Sequence, residues 1–95
     1  MKSVIEVSVE DFVRANKGLI TVLKAVQMAG DEGIPTRRLL NKIKMIGYGE
    51  TLVKRAERQG YIRREEREPD SGRGFHPLYN ILTSKGQKLL HQIDK

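Results

Sequence analysis

Apolar residues recur at three- and four-residue steps over the first third of the chain, then in shorter bursts divided by glycine and proline. Phe12, Ala15, Leu19, Val22, Leu23 and Val26 form one stripe, the mark of an amphipathic helix that buries a single face. The stripe predicts a helix over roughly residues 9–29. Ahead of it, Val4, Ile5, Val7 and Val9 partly alternate, which predicts a short strand or extended arm. Ser8 and Asp11 have the spacing of a capping box. Gly18 weakens the helix by ~1 kcal/mol relative to alanine, so a break is allowed between Asn16 and Gly18. Gly30-Asp31-Glu32-Gly33 ends it.

Proline disfavours helix at Ile34, and Thr36 is a good N-cap. Leu39, Leu40 and Ile43 then predict a short second helix, roughly 36–44. Met45 and Ile46 lead into Gly47 and Gly49, a tight connection. A third helix follows over about 49–59, burying Leu52, Val53 and Ala56 and closed by Gly60, where a left-handed cap favours a residue without a side chain. Tyr61 to Arg67 reads as a strand, Glu68 to Gly74 as a turn-rich loop, and Leu78 to Leu82 as the returning strand of a hairpin. Thr83 or Ser84 caps a last helix bearing Leu89, Leu90 and Ile93. The order predicts one α+β domain over 1–95, mostly α: a winged helix-turn-helix with a three-helix core, a two-stranded wing and a C-terminal helix.

Charge sharpens this picture. The chain carries +6 overall. Residues 1–33 hold four basic and five acidic side chains, residues 34–75 eleven and six, and residues 76–95 three and one. The excess therefore lies almost wholly behind the first helix. A segment of this kind suits a polyanion, because neutralised phosphates release condensed counterions; a solvated basic surface is the plainer alternative. Cysteine is absent, so disulfides and thiolate chemistry are excluded. His76 and His91 stand fifteen apart without a zinc-binding spacing, and the serines lack a nucleophile-elbow setting. No phosphate-binding glycine loop occurs either. The expectation is a non-enzyme with no metal and no cofactor, cytoplasmic and nucleoid-associated, without a membrane span.

Three stretches resemble a known group. Thr51 to Ile62, TLVKRAERQGYI, is similar to the recognition-helix-to-wing join of winged-helix regulators. Ile81 to Leu90, ILTSKGQKLL, resembles the join of wing strand to last helix in the multiple-antibiotic-resistance (MarR-like) and phenolic-acid (PadR-like) regulator groups. Glu68 to Arg73, EPDSGR, is similar to their acidic-proline-aspartate-arginine wing tip. The resemblance covers roughly residues 18–92 and points to short members of archaeal type. MarR-like chains are typically longer, with added helices that build a dimer interface and ligand pocket, so a small-molecule effector is not carried over.

In this fold the third helix enters the major groove. With Leu52, Val53 and Ala56 inward, helical periodicity turns Glu50, Thr51, Lys54, Arg55 and Arg58 outward. Lys54 and Arg55 can reach guanine acceptors or phosphates, and Thr51 can offer a hydroxyl. Tyr48 and Gly49, expected at the helix start, would let backbone approach the DNA. Thr36, Arg37 and Arg38 open the second helix, whose free amides favour a phosphate; solvated arginines are the alternative. The resemblance implies that Arg73 enters the minor groove; the alternative is that it pairs with Asp70 and holds the loop. Arg63, Arg64 and Arg67 interleave with Glu65 and Glu66, which suggests cross-strand pairing, and Arg67 alone, nearest the tip, joins the DNA set. The apolar residues of the terminal segments, 1–17 and 84–95, predict a homodimer reading two half-sites; completion of the monomer core is the alternative. The expected function is a duplex-DNA-binding transcription regulator, with a low-specificity architectural protein or a winged-helix interaction module as the competing readings.

Overall fold

The computed structural model describes residues 9–69, 74 and 76–94, with the Ile46 side chain set aside. Ser8, the arm with Val4, Ile5 and Val7, and the loop residues Asp70 to Arg73 lie outside the described residues. Among those described, the chain forms helices α1 (Val9–Ala15), α2 (Lys17–Ala29), α3 (Thr36–Ile43), α4 (Ile46–Arg58) and α5 (Ser84–Ile93). Strands β1 (Ile34–Pro35), β2 (Ile62–Glu66) and β3 (Leu78–Leu82) form an antiparallel sheet in the order β1-β3-β2. The domain is α+β and mostly helical.

The expected first helix is divided at Asn16, within the interval where a break was allowed. The side-chain amide of Asn16 donates to the Phe12 carbonyl at 2.9 Å, beside its own backbone N–H at 3.0 Å. A local side-chain bond of this type competes with helix continuation. Gly18 has a different role. A Cβ placed there would stand 2.7 Å from Leu52 Cδ1, so its missing side chain lets α2 lie close against α4.

α2 is the central element and packs against α3, α4, α5 and β3. Leu19, Val22, Leu23 and Val26 are buried as the stripe predicts, whereas Ala15 is exposed. Leu39 from α3, Leu52, Val53 and Ala56 from α4, and Ile62 and Leu90 complete the core.

Two connections depart from the sequence reading. The turn between α3 and α4 is Lys44–Met45, with Lys44 left-handed at φ 58°, so α4 begins at Ile46 and takes in Gly47 and Gly49. The short strand β1 was not expected. It pairs Ile34 with Asn80 and Pro35 with Tyr79, because the extended backbone before proline can run along β3.

The other ends follow local rules. Gly60 is left-handed at φ 82°, and its N–H and that of Tyr61 return to Glu57 and Ala56, the double bond of a Schellman cap. Thr83 is the cap of α5: its hydroxyl accepts from Gly86 N–H at 3.1 Å and donates to the Gly60 carbonyl at 2.6 Å. A Cβ on Gly86 would strike the Tyr61 carbonyl oxygen, so this crossing admits glycine alone.

Asn80 is 0% exposed in the middle of β3. Its Nδ2 donates to the Ile34 carbonyl at 2.9 Å and to Thr36 Oγ1 at 3.1 Å, and its Oδ1 accepts from Arg64 Nε at 3.1 Å. Replacing it strands buried donors and acceptors, each at about 1–3 kcal/mol. Asn80→Leu is therefore expected to lower unfolding free energy by about 2–3 kcal/mol in urea titrations followed by circular dichroism. A change within about 0.5 kcal/mol would show the network to be dispensable.

Candidate nucleic-acid interface

α4 has two distinct sides. Gly49, Leu52, Val53 and Ala56 are buried, while Tyr48, Glu50, Thr51, Lys54, Glu57 and Arg58 are exposed and Arg55 is half-buried. At 3.6 residues per turn, Thr51, Lys54 and Arg58 lie opposite the buried line. Tyr48 and Arg55 fall on one flank of that outer line, Glu50 and Glu57 on the other. The outer face thus grades from cationic and aromatic to acidic. Lys54 Nζ stands 3.7 Å from Glu50 Oε1, an exposed i,i+4 pair of the kind that contributes little.

Tyr48 is 61% exposed, and its ring stands within the first turn of α4. Gly49 requires a correction. It sits inside the helix rather than opening it, and a Cβ there would meet Leu40 Cδ2 at 2.8 Å. Its bareness serves the approach of α3 to α4, so its backbone is not offered to a ligand.

Arg37 and Arg38 are exposed on the first turn of α3. They rim an open groove of about 430 Å³ whose other walls include Pro35, Asn41, Leu78 and Tyr79. Thr36 is corrected from the expected cap. Pro35 occupies the cap position without a side-chain hydrogen bond. The Thr36 hydroxyl instead accepts from Arg64 Nη2 at 2.8 Å and from Asn80 Nδ2, and donates to the Leu78 carbonyl at 3.3 Å. It has no capacity left for phosphate.

The strand arginines also differ from expectation. Arg63 pairs with Glu65 two residues along the same strand at 3.2 Å, not across the sheet. Arg67 is engaged on three sides. It donates to the Glu32 carbonyl at 2.7 Å, lies 3.4 Å from Glu65 Oε2, and stacks 4.2 Å from the Tyr79 ring centroid. These contacts fasten the loop end of the hairpin to the turn after α2 and commit Arg67 to partners within the protein. Arg73 lies outside the described residues.

Sequence reasoning took Arg64 only as part of a cross-strand charge pattern and passed over Asn80. The available signal was an amide in the midst of the apolar run Leu78-Tyr79-Asn80-Ile81-Leu82, a place where asparagine is disfavoured unless partnered. Lys85 is a further case: its Nζ donates to the Gln59 carbonyl at 2.7 Å and lies 5.0 Å from the Tyr61 ring, holding the C-terminal end of α4.

Arg37, Arg38, Arg55 and Arg58 make no ion pair among the described residues. No cluster of three or more metal-ligating side chains occurs among those residues, and no helix is long and apolar enough to cross a membrane.

Several of the described terminal residues behind the dimer expectation pack within the monomer. Leu90 is fully buried, and Phe12, Leu89 and Ile93 lie against the core. Comparison with protein-family models, curated proteins and solved structures gave no match.

The two kinds of arginine separate experimentally. Arg67→Ala should lower stability by about 1 kcal/mol through its lost hydrogen bonds and ring contact, whereas Arg58→Ala should stay within about 0.5 kcal/mol. Parallel urea titrations measure both; equal losses would contradict the assignment.

Proposed function

We propose that the chain is a winged-helix protein that binds duplex DNA as a transcription regulator, with α4 in the major groove and the β2–β3 hairpin as the wing beside the minor groove. The observation that carries this reading is the outer strip of α4. Tyr48, Thr51, Arg55 and Arg58 share it, none is engaged by the core, and the acidic residues fall on the far flank. A helix of thirteen residues is about 20 Å long, and a major groove ~12 Å wide admits one. Arg55 and Lys54 would reach guanine acceptors or phosphate, Thr51 a base or phosphate, and Arg58 the flanking backbone.

The first turn of α3 supports the same face. Exposed Arg37 and Arg38 stand where helix amides and dipole favour an anion. The α3–turn–α4 pair followed at once by a hairpin is the element order of helix-turn-helix proteins with a wing.

Homodimerisation through the terminal segments belongs to the proposal, since paired domains would read a pseudo-palindrome. Among the described terminal residues, Val9 is the large apolar side chain left exposed, at 47%. Sedimentation at micromolar concentration should give a dimer, and a clean species of ~11 kDa, the single-chain size expected without a two-fold partner, would remove it.

Binding to selected and random duplexes over a salt series tests the central reading. A regulator binds its selected site far more tightly than random sequence at physiological salt, by ~10³-fold or more. Arg55→Ala should cost ~1–3 kcal/mol and relax preference at one base position. Steep salt dependence without a specificity ratio would favour an architectural role. No measurable duplex binding at low salt would overturn the proposal.

A further inference from the structure

The join between α3 and the sheet is unusual in what holds it. β1 has two residues, and Pro35 has no N–H to give to the ladder. Side chains supply the missing bonds. Asn80 Nδ2 reaches the Ile34 carbonyl at 2.9 Å, and Thr36 Oγ1 reaches the Leu78 carbonyl at 3.3 Å. Arg64 bridges the two, with Nε on Asn80 Oδ1 at 3.1 Å and Nη2 on Thr36 Oγ1 at 2.8 Å.

Arg64 has no carboxylate partner among the described residues. Its cation also stands at the N-terminal end of α3, where the helix dipole repels positive charge. Charge attraction therefore does not explain its place. The planar fork does: two N–H groups on separate nitrogens at fixed spacing meet two acceptors on different elements, a geometry that the single ammonium nitrogen of lysine does not reproduce.

We infer that Arg64, acting through Thr36 and Asn80, is a positioning residue for DNA binding. It sets the stance of the β2–β3 hairpin against the first turn of α3. Because α3 is seated on α4 through Leu40 against Gly49, the same link sets the hairpin against the outer strip of α4. Arg37 and Arg38, directly after Thr36, are carried with it. Arg64 touches no DNA in this account, and the inference rests on the duplex-binding proposal.

The test titrates a duplex recovered from a random pool by the parent protein. It uses Thr36→Val, Thr36→Ser, Arg64→Met, Arg64→Lys and the Thr36→Val/Arg64→Met pair, all at a temperature where circular dichroism shows native helix content. Thr36→Val and Arg64→Met should each weaken binding about tenfold, and the pair no further than either alone, as for two parts of one linkage. Thr36→Ser, which keeps the hydroxyl, should bind within about twofold of the parent. Arg64→Lys keeps the charge and loses the fork, so it should bind as weakly as Arg64→Met. Parent-like binding by Arg64→Lys would mean a plain charge contact and overturn the inference, as would additive losses in the pair. Parent-like binding by Thr36→Val would overturn it too. If Arg64→Met does not fold, Arg64→Lys and the Thr36 variants decide the matter alone. A parent that recovers no duplex sinks the function proposal itself, an outcome distinct from a parent that binds and variants that match it.

Discussion

The structure turns on one buried amide. Asn80 is fully enclosed, and an amide out of water is tolerable only when its donors and acceptor are matched. Its partners come from β1, the first turn of α3, and β2. Satisfying that group therefore requires three chain segments to arrive together. An apolar side chain at the same place would fill the volume without dictating which neighbours meet it, since dispersion and hydrophobic contact are non-directional. Hydrogen-bond geometry supplies the direction.

Around this node the helices close by omission of side chains. Gly18 admits Leu52, Gly49 admits Leu40, and Gly86 lies against the Tyr61 carbonyl. In each case a helix carries glycine where its neighbour comes nearest. A Cβ would meet backbone at Gly86 and force a leucine side chain to shift at Gly18 and Gly49, so close packing offsets the lost helix propensity. The effect on α4 is direct. Held on its inner side by α2 and α3, it turns Tyr48, Thr51, Arg55 and Arg58 to the outside as one strip.

The charge of the chain is divided between two tasks. Arg64, Arg67 and Lys85 are bound to carbonyls, a hydroxyl, an amide or an aromatic ring, and serve as links between elements. Arg37, Arg38, Arg55 and Arg58 lack ion-pair partners among the described residues, and they lie on α3 and α4. A count of basic residues in the middle segment merges these groups. The proposed interface is consequently smaller than the net charge implies, and it is concentrated on two helices.

The linear chain determined what depends on near neighbours. Apolar spacing marked the inner residues of α2 and α4, Gly60 and Thr83 marked helix ends, and the turn-rich stretch before Leu78 marked the hairpin. All of these are signalled by patterns spanning a few residues, which periodicity and propensity record. The tertiary structure alone decided β1, the start of α4, and the tasks of Thr36, Gly49, Arg64 and Arg67. Thr36 meets Arg64 and Asn80 across 28 and 44 positions, and Arg67 meets Glu32 across 35. No local pattern encodes such pairings, because a hydroxyl or guanidinium reads the same in a chain whether water or a distant carbonyl will satisfy it.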